Sequence, residues 1–115
     1  MPFVRITTNQ KLSTEQELAL KAAVADTISI LPGKSEQVTM MQIEQNQTMW
    51  FRGEDQPCMF IQVKLYLESP VEAKKEFTGS LMEKAAAAIN IPVTSIYFSF
   101  DEYPSGSWGS NGGLK

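Results

Sequence analysis

The sequence predicts an α+β domain in which two β-α-β units build a four-stranded mixed sheet with two helices on one face. Three observations point there. The chain echoes itself at an offset of about half its length: FVRIT leads into LSTEQELALKAAVADTISILPG, and MFIQVKLY leads into ESPVEAKKEFTGSLMEKAAAAIN. In each unit an alternating apolar stretch gives way to apolar residues at helical spacing. Each helical stretch is followed by a second apolar run, VTMMQI and then SIYFSF, so each half reads β-α-β with its two strands parallel. The repeats cover about residues 1–55 and 56–115 of a single domain spanning 1–115.

The elements follow in order. MPFVRITTN opens with Pro2 at the first residue of a strand, where the missing N–H costs little. If Met1 is trimmed, as the small second residue permits, the Pro2 ring nitrogen becomes a free secondary amine able to act as a base. Ser13 N-caps the first helix with Gln16 three residues on, and Leu20, Val24, Ile28 and Leu31 form its apolar stripe. Pro32 and Gly33 end it. Lys34, next in line, reads as a solvated charge that favours the C-terminal end of the helix dipole. In the second helix Ser69 caps, Pro70 takes the first helical position, Glu72 closes a capping box, and Phe77, Leu81, Ala85 and Ala88 repeat the stripe. Gly79 weakens that helix by about 1 kcal/mol relative to alanine.

CMFIQVKLY and IYFSF carry apolar or aromatic groups at nearly every position, as expected of strands buried on both faces. In so short a chain another subunit must cover the second face. Tyr97 reads as a half-buried strand aromatic. The tail SGSWGSNGGLK precedes no helix, so it offers no phosphate-binding loop; it reads as a turn and a tail that can pair with a neighbour as an edge strand.

Composition excludes whole classes of chemistry. The chain has 115 residues, 43% of them hydrophobic, which bounds it to one small core with a limited stability margin that oligomerisation would widen. The formal charge is -3 and the ten basic residues are scattered, which argues against a nucleic-acid partner. No basic start precedes an apolar stretch and no apolar run is long enough to span a bilayer. The expectation is therefore a cytoplasmic protein with no membrane partner, or one exported without a cleaved signal. The absence of histidine excludes Ser-His-Asp and Cys-His catalysis in cis, His-ligated zinc and imidazole acid-base work. Cys58 is the lone cysteine and makes no intrachain disulfide or thiolate cluster; inside CMFI it suits a buried small hydrophobe.

Several short motifs run along the whole chain in order: the Pro2-initiated strand, TTN at 7 to 9, PGK at 32 to 34, MWFRG at 49 to 53, QPC at 56 to 58, IYFSF at 96 to 100 and WGSNGG at 108 to 113. Each is weak alone; in this order and spacing the sequence resembles the macrophage migration inhibitory factor family of the tautomerase superfamily. The resemblance implies a homotrimer of pseudo-duplicated β-α-β monomers and a keto-enol tautomerase that acts without metal or cofactor on phenylpyruvate-like α-keto acids. Pro2 is then the general base, and Lys34 matches the lysine that holds the substrate carboxylate. Tyr66, Tyr97 and Ser99 fall at substrate-binding positions, and Phe3, Phe100 and Trp108 at the pocket wall. The alternative in the same family is a cytokine-like signalling or binding trimer with a vestigial pocket and a protein receptor.

The chemistry implied for Pro2 has a physical requirement. A general base works best with a pKa near the working pH, whereas a free proline amine is mostly protonated at neutrality. Burial near Phe3, Tyr97 and Phe98, with the Lys34 charge at the rim, would lower it. A shift of ~2 units corresponds to about 2.7 kcal/mol.

The sequence also departs from the family. Ser99 stands where mammalian members carry an asparagine that bonds the far end of the substrate, and its hydroxyl is a shorter, single donor. Tyr66 falls on the isoleucine of a Ser-Ile-Gly stretch whose backbone N–H helps bind substrate; here the stretch reads LYL, with side chains that narrow or reshape the mouth. CMFI lacks a Cys-x-x-Cys pair, so thiol redox chemistry is not supported. WGSNG has Ser110 in place of a second tryptophan. Arg5 and Arg52 are the only arginines, too few for relatives that hydrate or dehalogenate short acids.

Overall fold

The strand that opens the chain becomes an interior strand of the sheet. In the computed structural model, which describes residues 1–115, β1 (Pro2–Thr8) pairs in parallel with β2 (Met40–Glu44) on one side and antiparallel with β3 (Met59–Tyr66) on the other. β3 pairs in parallel with β4 (Ile96–Tyr103), giving the order β2-β1-β3-β4. Each β-α-β half is therefore parallel within itself, and the halves meet antiparallel along β1 and β3.

Alternation decides which face is dry. On β1, Pro2, Val4, Ile6 and Thr8 are buried, and on β3 Met59, Ile61, Val63 and Leu65 are buried. They pack under α1 (Thr14–Thr27) and α2 (Val71–Ile89), whose Leu20, Val24, Phe77, Leu81 and Ala85 join the same core. Each Val, Leu, Ile, Phe or Met among them contributes about 1.5–3 kcal/mol by leaving water. Ile28 and Leu31 are fully buried just beyond α1, where the helix tightens into a single 3₁₀ turn at Ile28–Ile30. The opposite face is more polar than a doubly buried sheet: Arg5 bonds Gln42 and pairs with Glu44 (3.4 Å), and Tyr97 is 61% exposed.

The two helix starts differ. At Ser13 the expected box is complete: the Gln16 N–H donates to Ser13 Oγ (3.1 Å) and the Ser13 N–H donates to Gln16 Oε1 (2.9 Å). At α2 the structure corrects the sequence reading. Pro70, not Ser69, is the N-cap, no side chain caps the helix, and Val71 is its first residue. The reason is tertiary: the Ser69 N–H donates to Glu102 Oε2 (2.7 Å), while Lys74 donates to Glu102 Oε1 (2.7 Å). Glu72 pairs instead with Lys75 at the surface (3.5 Å).

Two loops rest on side chains of the TTN motif. Thr8 Oγ1 donates to the Cys58 carbonyl (2.7 Å), Asn9 Nδ2 donates to the carbonyls of Gln56 (2.7 Å) and Met49 (3.3 Å), and the Cys58 N–H donates to Asn9 Oδ1 (3.0 Å). Asn9 thus replaces the ladder that the Met49–Cys58 segment lacks. Within that segment Arg52 (φ 53) and Gly53 (φ 78) form a tight turn closed by reciprocal backbone bonds between Phe51 and Glu54. Burial, aided by the Asp55 carboxylate, pushes the Cys58 thiol up, which disfavours its thiolate.

The tail forms its own hairpin, β5 (Gly109–Ser110) with β6 (Gly113–Leu114), turned by Asn111 (φ 53) and Gly112 (φ 78). No helix of the chain is long and apolar enough to cross a membrane.

Two stability measurements follow. A Cβ on Gly79 would meet nothing within 4 Å, so Gly79→Ala should raise unfolding stability by about 1 kcal/mol in a denaturant titration. Burial pushes the Glu102 carboxyl up, but the Lys74 ammonium and the Ser69 N–H outweigh it and hold the group below its ordinary value. A depressed carboxyl contributes stability above its unfolded pKa, about 4.3, and loses it as pH falls through the folded value. Glu102→Gln should cost about 1–2 kcal/mol at neutral pH and flatten the decline in melting temperature toward acid.

Candidate active site

Pro2 sits at the edge of the ladder but inside the fold. It faces Leu65 in register, and as the first strand residue it removes no needed donor even though β1 has a neighbour on both sides. Its side chain is buried. The chain therefore starts at one end of the sheet, beside the end of β3.

Lys34 is delivered to the same end by a turn. Leu31 is fully buried and anchors it; Pro32 presets the next dihedral, Gly33 takes φ 75, and the Lys34 N–H donates back to the Leu31 carbonyl (3.1 Å). This is a type II turn, which needs proline-like φ and then a positive φ that glycine supplies without strain. From there Lys34 Nζ donates a long hydrogen bond to the Tyr66 carbonyl (3.4 Å). The amine that begins the chain, here that of Met1, lies against the same ammonium. Burial first, then the Lys34 charge and its hydrogen bond, push this amine below its ordinary value.

The Tyr66 carbonyl is presented by a strained residue. Leu67 adopts φ 67, and its N–H donates to the Tyr103 carbonyl (2.7 Å). A left-handed conformation costs a non-glycine residue about 1–2 kcal/mol. It falls where the resembled Ser-Ile-Gly stretch has glycine, the residue that takes a positive φ without strain.

The other expected residues separate into two groups. Trp108 reaches this end of the sheet, packing its ring on Tyr103 at 5.7 Å, and Phe3 lies on the outer face under Arg5 (5.5 Å). Ser110 Oγ is buried without a hydrogen-bond partner. Phe100 points to the helix side, where it packs with Phe98 and Phe77 at 5.1 and 6.1 Å. Tyr97 and Ser99 stand on β4, in register with Phe60 and Gln62, which pair in turn with Thr7 and Arg5. Tyr97 is thus five residues along the strands from the level of Pro2, on the order of 17 Å, and two strands across. Within one chain it meets Phe51 edge-on at 5.2 Å and does not meet Pro2.

Sequence reasoning passed over Tyr103 and Lys64. Tyr103 continues the β4 alternation of Tyr97, Ser99 and Asp101 and lies beside Tyr66 in register. Lys64 Nζ donates to the Tyr103 hydroxyl (3.2 Å) and to Asp101 Oδ2 (3.3 Å), and these bonds hold its ammonium above the ordinary lysine range. The signal available was the two-residue period that carries LYL and DEY to the same end of the sheet. A groove of about 610 Å³ over Leu18, Val24, Met41 and Ile43 between α1 and β2 includes none of the expected site residues. No group of three or more His, Cys, Asp or Glu stands close enough to hold a metal ion.

The family model of macrophage migration inhibitory factor (MIF) matches residues 1–114. The chain belongs to the MIF family. Among solved structures, MIF2 of Leishmania major is 23% identical with a TM-score of 0.87, covering 100% of this chain and 97% of its own. Pt0534 inactivated by 2-oxo-3-pentynoate is 16% identical with a TM-score of 0.89, covering 97% and 94%. A fused 4-OT asymmetric trimer is 15% identical with a TM-score of 0.87, again covering 97% and 94%. At these identities the likeness is one of fold. No curated protein sequence matches the chain.

The left-handed backbone at Leu67 can be tested directly. Leu67→Gly, which accepts φ 67 freely, should retain or raise the melting temperature. Leu67→Val should lower stability by about 1 kcal/mol or more, because a β-branched residue is a worse fit to positive φ.

Proposed function

We propose that this MIF-family chain is a cofactor-independent keto-enol tautomerase for phenylpyruvate-like aromatic α-keto acids, acting as a homotrimer of the single 1–115 domain. Pro2, exposed as a secondary amine once Met1 is removed, is the general base, and Lys34 anchors the substrate carboxylate. The observation that carries the reading is geometric: Pro2 opens β1 level with Leu65, beside the Tyr66 carbonyl that Lys34 Nζ reaches at 3.4 Å. The Met1 amine that precedes Pro2 is pushed down by burial and by Lys34, and a Pro2 amine at the same end of the sheet would meet the same two influences, which favour the free base that proton abstraction needs. The Lys34 ammonium, which has no carboxylate partner in the chain, is free to take the substrate carboxylate.

The trimer is proposed because the site is incomplete in one chain. Tyr97 and Ser99 lie too far from Pro2, and a neighbour's β4 would supply them; Tyr97 is open to such a neighbour. Support also comes from the fold neighbours, one a 4-OT trimer and one inactivated by an α-keto acid. In this reading Tyr66, Phe3 and Trp108 line the substrate's path, Ser99 sets the preference at its far end, and the protein works in the cytoplasm or outside the cell. Phe100 supports the wall from behind. The second reading, a cytokine-like binding trimer, draws on Tyr66 and Leu67, which place large side chains at the mouth.

The test is the pH profile of phenylpyruvate keto-enol conversion by protein whose intact mass shows loss of Met1. The base acts when deprotonated, so activity should rise with pH through an apparent pKa below that of an ordinary proline amine and disappear when Met1 is retained. Lys34→Met removes a charge that lowers the amine, so the rising limb should move to higher pH and KM should increase about tenfold or more. No activity above buffer at any pH would transfer the reading to the binding trimer.

A further inference from the structure

Two lysines converge on the proline end of the sheet, and only Lys34 has a role so far. Lys64 projects from the outer face of β3 opposite Phe3, the second residue of β1. Tyr103 stands on β4, one strand farther from Pro2, yet its hydroxyl lies 3.2 Å from Lys64 Nζ. Lys64 Nζ reaches toward β4, where it also meets Asp101, so ammonium and phenol meet over the outer face at the end of the sheet where Tyr103 pairs with Tyr66, whose carbonyl Lys34 holds. Trp108 packs against its ring at 5.7 Å and limits its other positions. The hydroxyl accepts the hydrogen bond from Lys64, and no group in the chain accepts the hydroxyl's own proton. A phenol whose oxygen is bound by a cation is a stronger donor, and its best partner is an oxygen that is gaining negative charge.

We propose that Tyr103 contacts the substrate and that its hydroxyl, braced by Lys64, donates a hydrogen bond to the oxygen that becomes the enolate. This rests on the tautomerase reading. The Pro2 amine takes a proton from the carbon beside the ketone, the C–H electron pair becomes the C=C bond, and the C=O π pair moves onto oxygen. The Pro2 ammonium then returns the proton to that oxygen to complete the enol. Tyr103 keeps its own proton throughout and lowers the barrier by stabilising the transient charge. Lys34 on the carboxylate and Lys64–Tyr103 on the enolate oxygen give the two anionic ends of the intermediate separate cationic supports.

Tyr103→Phe preserves the ring on Trp108 and leaves the Lys64–Asp101 pair (3.3 Å) in place, so it should keep the wild-type melting temperature. With Met1-processed protein and phenylpyruvate, it should lower kcat about a hundredfold, with KM changed by less than about threefold. Lys64→Met should lower kcat about tenfold by weakening the donor. The proposal is overturned if Tyr103→Phe keeps kcat within about twofold, or raises KM alone as a carboxylate contact would. If the wild-type protein does not turn over phenylpyruvate, the tautomerase reading falls and calorimetric binding of oxalate decides Tyr103 separately. Oxalate places two anionic ends at the spacing of the carboxylate and enolate oxygens. A loss of about tenfold or more in oxalate affinity in Tyr103→Phe supports the contact, and equal or absent binding overturns it.

Discussion

The structure depends on β1 having a strand on each side while beginning with proline. An interior strand can tolerate proline only at its first residue, because farther in it would leave a neighbour's carbonyl without a donor. That constraint sets Pro2 level with Leu65 at one end of the sheet and places the chain's terminal amine beside β3 rather than in open solvent. The antiparallel meeting of β1 and β3 then joins two parallel β-α-β halves into one mixed sheet. A shift of one residue in that pairing would send Val4 and Ile6 to the outer face and empty the core.

The groups gathered at this end are held by turns rather than by regular elements. Pro32 and Gly33 aim Lys34 from a fully buried Leu31, and the positive φ of Leu67 aims the Tyr66 carbonyl back at it. Leucine in that conformation is strained, and the strain is sustained because the Leu67 N–H is held by Tyr103 and β3 is fixed on both sides. At the far end Asn9 performs the matching task for the loop that carries Phe51 to Tyr97.

Two charged groups at this end of the sheet contrast in their electrostatics. Glu102 has two donors and contributes to stability, so its charge is satisfied within the chain. Lys34 has only a carbonyl at long range and sits beside an amine that would also carry a positive charge. Placing two cationic groups together disfavours protonation of the weaker one, which is a cost to the folded protein and a gain for proton abstraction.

Much of the architecture was legible from local rules. The two β-α-β units, the stripe from Leu20 to Leu31, the Ser13 box and the buried Cys58 follow from periodicity, capping and composition, which depend on near neighbours in sequence. So did the position of Pro2 and of Lys34 after a PG turn. Local rules placed the cap of α2 on Ser69, but Glu102, thirty-three residues away, claimed its N–H. They also grouped Tyr97, Phe98 and Phe100 with Pro2, whereas strand alternation sends Phe98 and Phe100 to the helices, and strand length keeps Tyr97 at the other end. The sequence by itself determined the elements and the chemical groups available. Only the tertiary structure decided that Lys34, Tyr66 and the chain's amine meet, and that Lys64 reaches Tyr103, because those contacts join residues far apart in sequence through turns and long side chains whose reach no local pattern specifies.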